Sequence, residues 1–206
     1  MAAMADALGT LGASFVTFFS IANPIGSALI FDRVVVDLSR CARRRLARHI
    51  ALLSAVIVIV AALAGSDILQ ALGIRLDALR VAGGLILGSQ AWRLIGHNDT
   101  GDGGLARGAL VPLTVPLTIG PGTIAAAISL GAAGAASPHA LLQLGAVLLA
   151  VLLLAVLIAL TYDNAGRVVD LLGKNGSCAA VQLSGFVLLC IATEMVLQGL
   201  RNTLAS

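Results

Sequence analysis

Charge is scarce in this sequence. Only 11% of its 206 residues are Asp, Glu, Lys or Arg, against about 25% in soluble domains, which excludes an ordinary water-facing surface over most of the chain. Aromatic residues are scarcer, at 3%, and without them there are no stacking platforms for nucleic-acid bases. The three cysteines, Cys41, Cys178 and Cys190, show neither metal-ligand spacing nor a disulfide framework. The histidines, His49, His97 and His139, fall at the ends of apolar runs, as interfacial residues do. Neither metal nor cofactor is expected. No serine, histidine and carboxylate fall together and no carboxylates pair across a loop, so no enzyme activity is expected either. The first nine residues carry Asp6 and no basic residue, unlike a secretory signal.

What is abundant is hydrocarbon. Hydrophobic residues make up 59% of the chain, and the mean hydropathy is +1.01. The pattern predicts an all-α polytopic membrane protein, a single transmembrane domain over 1–206 with six spans near 7–31, 50–69, 79–95, 109–134, 140–160 and 180–200. The fifth is almost purely aliphatic and is expected to face lipid. Between the first two spans, Arg33, Arg40, Arg43, Arg44, Arg45 and Arg48 form a charged loop. Basic residues collect on the cytoplasmic side. With this cluster inside, Arg93, Arg107, Arg167 and Lys174 are inside too, and both termini are periplasmic. Contact with anionic lipid is a further role open to the cluster, although orientation alone accounts for it.

Two stretches interrupt the apolar runs. Asn23-Pro24-Ile25-Gly26 lies in the first, and the fourth holds Pro112, Pro116 and Gly120-Pro121-Gly122. Proline removes a backbone donor and clashes with the preceding turn. Each stretch is either a simple kink or an unwound segment lining a cavity, and their matching places favour the cavity. A glycine-rich polar stretch, 97–108, is the natural cytoplasmic linker between halves 1–96 and 109–206. Three spans in each half force opposite insertion, so the chain is expected to form two inverted three-helix repeats with broken first and fourth helices. Exposed amides and carbonyls at such breaks suit a small zwitterion.

The expected substrate contacts are Asn23, Pro24, Gly26, Thr118, Gly120, Pro121, Gly122 and Thr123. Asn23 either bonds substrate or joins helices. Thr114, Thr118 and Thr123 either line the site or satisfy carbonyls freed by the prolines. Gly122 is expected to be the most sensitive position, because a side chain there would enter the substrate space. Gly83 and Gly185 read as packing residues. Arg80 and Glu194 are ionisable groups within spans, which points to a structural or coupling role, and they are expected to pair near the outer interface.

Four motifs in order resemble the MarC family of bacterial inner-membrane proteins. They are Asn23-Pro24-Ile25-Gly26; Gly73-Ile74 with Arg80-Val81-Ala82-Gly83-Gly84; Pro112-Leu113 through Pro116-Leu117 to Gly120-Pro121-Gly122; and Ser184-Gly185-Phe186 with Gly199-Leu200. Gln182 departs from the family pattern, which has a basic residue there, and Glu194 stands where glutamine is also familiar. The resemblance implies six helices in inverted repeats and kinship with small amino-acid exporters of the lysine-exporter type. The function expected is secondary transport of small neutral amino acids, such as glycine or alanine, across the inner membrane. The alternative is a structural or stress-associated membrane protein that transports nothing. The expected partners are the lipid bilayer and that substrate, with no nucleic acid.

Overall fold

A chain with few polar side chains can cross hydrocarbon only if its backbone satisfies itself, which a helix does. The computed structural model describes residues 2–36, 38–96 and 119–205, and every regular element among them is an α-helix. In order these are α1 (Ala2–Ala22), α2 (Pro24–Val34), α3 (Arg40–Ala71), α4 (Leu76–Gly96), α5 (Pro121–Ala135), α6 (Ala140–Asp163) and α7 (Ala165–Ala205). Four stretches are long and apolar enough to span a bilayer: Ala3–Ala28, Arg40–Ala71, Ala140–Asp163 and Cys178–Leu204. Pro121–Ala135 is a shorter apolar helix. The 21-residue α4 is diluted by Asp77, Arg80 and Arg93. The linker 97–108, with Pro112, Thr114, Pro116 and Thr118, lies outside the described residues.

Two helices run further than the apolar pattern implies. The charged loop expected before the second span is helical from Arg40, because Ser39 caps it: its hydroxyl accepts from the Ala42 amide at 3.4 Å. Arginine is also a good helix former. At 1.5 Å per residue, the 32 residues of α3 extend about 48 Å, well beyond a hydrocarbon core of about 30 Å. The polar stretch before the last span is likewise helical from Ala165, with one non-helical residue at Gly173 (φ 64°, ψ 179°).

The fifth span, expected to face lipid, does so on one side only. Its helix, α6, buries Val147, Ala150, Val151, Leu154, Ile158 and Tyr162 at helical spacing and packs against α1, α3 and α5. Its other face, with Leu141, Leu152 and Val156, is exposed. Aliphatic side chains satisfy protein and lipid equally, so composition could not tell the two faces apart. At one end of the bundle Phe31 stacks on Tyr162, with ring centroids 4.6 Å apart. Beside this stack Arg43 pairs with Asp32 at 3.0 Å, and Arg44 with Asp163 at 2.9 Å. Both ends of α2 are thereby fixed, one by the break at Asn23 and the other by this cluster.

Elsewhere small residues draw the helices together, as packing inside a bilayer requires. Gly84 on α4 faces Ala192 and Val196 on α7, and Gly199 on α7 faces Val81 and the Asp77 carbonyl. Gly83 meets Ala125 across the α4–α5 contact, and Gly185 meets Leu94 and Ile95, so both pack as expected. The tightest approach is between α3 and α5, where a Cβ on Gly131 would fall on the Ala62 carbonyl. Gly131→Ala should therefore cost about 1–3 kcal/mol of stability by overpacking. Gly145→Ala, inside α6 with nothing within 4 Å, should instead be neutral or stabilise by up to about 1 kcal/mol, as alanine is the better helix former. Unfolding of the purified variants in detergent measures both, and equal effects would contradict the packing described.

Candidate functional site

The first break is a single residue. Asn23 adopts the left-handed conformation (φ 43°, ψ 61°), which asparagine tolerates better than most residues. Its side-chain Oδ1 caps α2 by accepting from the Gly26 amide at 3.2 Å. Pro24 follows as the first helical residue, where its missing N–H costs least to its own helix. It has no N–H to offer the Ser20 carbonyl, one turn back in α1. The Ala22 carbonyl is met by the Ser27 hydroxyl at 3.1 Å. A Cβ on Gly26 would run into the Asn23 amide, so glycine is required here by the cap itself. Asn23 is thus a helix cap, a role the sequence alone did not suggest.

The second break opens α5. Gly120 is its N-cap and supplies no side-chain bond, and Pro121 again stands first. The Gly120 carbonyl accepts from the Thr123 and Ile124 amides at 3.0 and 3.2 Å. Gly122 packs on α4: a Cβ there would lie 2.9 Å from Leu87 Cδ1. A substitution at Gly122 would accordingly press on Leu87 rather than enter open space, and only the backbone of Gly122 is left to meet a ligand. Thr123 is 1% exposed, and its hydroxyl has no hydrogen-bond partner among the described residues. At 100° per residue it lies on a different side of α5 from Ala125 and Ser129, which face α4. Of the expected contacts, Thr118 lies outside the described residues.

A residue that the motifs did not single out stands beside the second break. The half-buried Gln90 amide lies 3.3–3.4 Å from where a Cβ of Gly120 would be. Its signal was its place, a lone amide near the end of the otherwise small and aliphatic stretch 81–91 of α4. The breaks belong to helices that touch, since α1 packs on α5. A hollow of about 380 Å³ lies apart from them, lined by Ser66, Gln70, Arg75, Asp77 and Ala132 among others. No three His, Cys, Asp or Glu side chains gather as a metal site would require, among the described residues.

Both helix breaks and the close contacts at Gly83, Gly84, Gly185 and Gly199 fall within the four motifs. The MarC family model, described as "MarC family integral membrane protein", matches residues 8–204. The chain belongs to the MarC family. It is 28% identical to the "UPF0056 inner membrane protein MarC" of Salmonella typhimurium, over 95% of this chain and 96% of the relative. It is 30% identical to the "UPF0056 membrane protein MJ1677" of Methanocaldococcus jannaschii, over 93% and 96%. The "UPF0056 membrane protein YvbG" of Bacillus subtilis is 28% identical, over 91% and 92%. No solved structure matches the chain.

In this member of the MarC family Arg80 and Glu194 do not pair. Arg80 donates to the Ser129 hydroxyl at 2.6 Å and lies 3.5 Å from Asp77. Glu194 is exposed and accepts from Gln198 at 2.9 Å. The reason is angular. Ala192, Met195 and Val196 form the face of α7 turned to α4, and Glu194 points the other way. The acidic partner is Asp77, which also meets Arg75 at 3.4 Å and the Asn202 amide at 3.1 Å. A double-mutant cycle should give Arg80 and Asp77 a coupling of about 0.5–1 kcal/mol. The cycle for Arg80 and Glu194 should stay below about 0.3 kcal/mol. Coupling of the second pair alone would contradict the placement of Glu194.

Proposed function

We propose that this protein is a secondary transporter of small neutral amino acids, such as glycine or alanine, and not an enzyme. In this reading six spans form two inverted repeats, 1–96 and 109–206, joined by a cytoplasmic linker, with both termini periplasmic. The packing supports the repeat. If α1–α2 corresponds to the fourth span, α3 to α6 and α4 to α7, the contact of α1 with α6 exchanges with that of α5 with α3. The contact of α2 with α7 exchanges likewise with that of α5 with α4, and both members of each exchange are made.

The observation that carries the substrate reading is Thr123: a hydroxyl sealed from solvent and without a partner among the described residues, in the first turn of a helix that no side chain caps. A helix N-terminus attracts a carboxylate, and the Thr123 hydroxyl and the Gln90 amide add donors that need no charge. The Ser20 carbonyl, deprived of its helical donor by Pro24, is suited to accept from an ammonium group. A zwitterion matches both ends.

Replacing an unpartnered buried hydroxyl with an isosteric methyl is neutral or stabilising, so Thr123→Val should raise the ligand-free Tm by up to roughly 4 °C. It should also remove most of the stabilisation that glycine gives the wild type, a ligand at 100-fold its Kd being worth about 2.7 kcal/mol. Gln90→Leu should lose that response as well. Melting curves with glycine, alanine and leucine test both changes. If neither glycine nor alanine stabilises the wild type, or if Thr123→Val responds in full, the site is wrongly placed.

A further inference from the structure

The arginines before the second span divide into two groups. Arg43 is consumed inside the bundle: its guanidinium meets Asp32 at 3.0 Å and the Val35 carbonyl at 2.9 Å. Arg44 is tied to Asp163 at 2.9 Å. Arg45 and Arg48 are exposed, and neither has a carboxylate within ion-pairing distance among the described residues. Orienting the chain needs positive charge near a span end, but it does not require two exposed arginines at positions one turn apart on a single helix face. That face bears a groove of about 370 Å³ lined by Cys41, Arg44, Arg45, Arg48, His49 and Leu52.

Below the groove the same face turns apolar and stays exposed. Arg45, Arg48 and Leu52 follow at i, i+3 and i+7, and Val56, Val60 and Leu63 continue the stripe, each about half exposed. Because α3 is longer than the hydrocarbon is thick, its first turns lie at headgroup depth while Leu52 to Leu63 lie among acyl chains. Two exposed guanidiniums beside a groove walled mostly by apolar atoms, continuous with an exposed aliphatic stripe, have the two-part chemistry of a phospholipid.

We propose that this face of α3 binds one anionic phospholipid, with its phosphate between Arg45 and Arg48 and an acyl chain along Leu52, Val56 and Val60. Arginine gives a phosphate two parallel donors, and His49 lines the same groove. The lipid would bridge no other helix in this site, so it rests on α3 alone and is independent of any transported substrate.

The test uses the full chain purified in neutral detergent. Phosphatidylglycerol and phosphatidylcholine with identical acyl chains are titrated, and bound lipid is counted by native mass spectrometry. One phosphatidylglycerol per chain should be retained in preference to phosphatidylcholine. The double variant Arg45→Gln/Arg48→Gln should weaken its binding roughly 10- to 30-fold, and each single change should do so by a smaller factor. Arg201→Gln, an exposed arginine near the end of α7, should leave retention unchanged. Glycerophosphoglycerol, the headgroup without its chains, should fail to compete at the concentration where the lipid saturates. Equal retention of the two lipids overturns the proposal, as do equal retention by a monodisperse double variant and full competition by the free headgroup.

Discussion

A backbone amide or carbonyl left without a partner in hydrocarbon costs several kcal/mol, and the architecture of this protein follows from where it meets that demand and where it does not. Seven helices satisfy their own backbones along most of the described chain. Besides the kink at Gly173 inside α7, two helices start at proline, Pro24 and Pro121, and the structure treats these starts differently. At the first, side chains do the repair: Asn23 caps the Gly26 amide and Ser27 serves the Ala22 carbonyl. At the second, among the described residues, no side chain caps the helix and a buried threonine hydroxyl stands next to it without a partner. The first break is repaired by its own residues except at the Ser20 carbonyl, which Pro24 cannot serve, and the second leaves donor capacity for something else.

Close packing holds these breaks in place. Hydrophobic association gives little advantage between helices in lipid, so approach distance matters, and small residues set it. Gly131 lets α5 press on the backbone of α3, while Gly83 and Gly122 seat its first turns on α4 at Ala125 and Leu87. The half-helix that carries the candidate site is therefore clamped between two longer helices. At the end of the bundle bearing the arginines, the Phe31–Tyr162 stack and the Asp32–Arg43 pair secure α2. At the other, Asp77 gathers Arg75, Arg80 and Asn202.

The membrane class, four of the spans and both break points could be read from the sequence because hydropathy and proline act locally. Helix starts at Arg40 and Ala165 could not, because charge marks the edge of the hydrocarbon and not the end of a helix. The two faces of α6 were indistinguishable in a run of Leu, Val and Ala. The pairing of Arg80 depended on rotation: spacing along the chain places Glu194 at the right depth but on the wrong side of α7. Gln90 escaped notice because its importance comes from the neighbour that packing gives it, Gly120, thirty positions away. Gly122 was recognised as a break residue, but its contact with Leu87 belongs to tertiary structure.

Uptake of radiolabelled glycine into liposomes that contain the purified protein tests the account most directly. The paired helix breaks predict saturable uptake above that of empty liposomes, inhibited by unlabelled alanine and much less by leucine. Protein that is fully inserted and monodisperse, yet moves no glycine or alanine in either direction, would contradict the account and leave the two breaks as structural kinks.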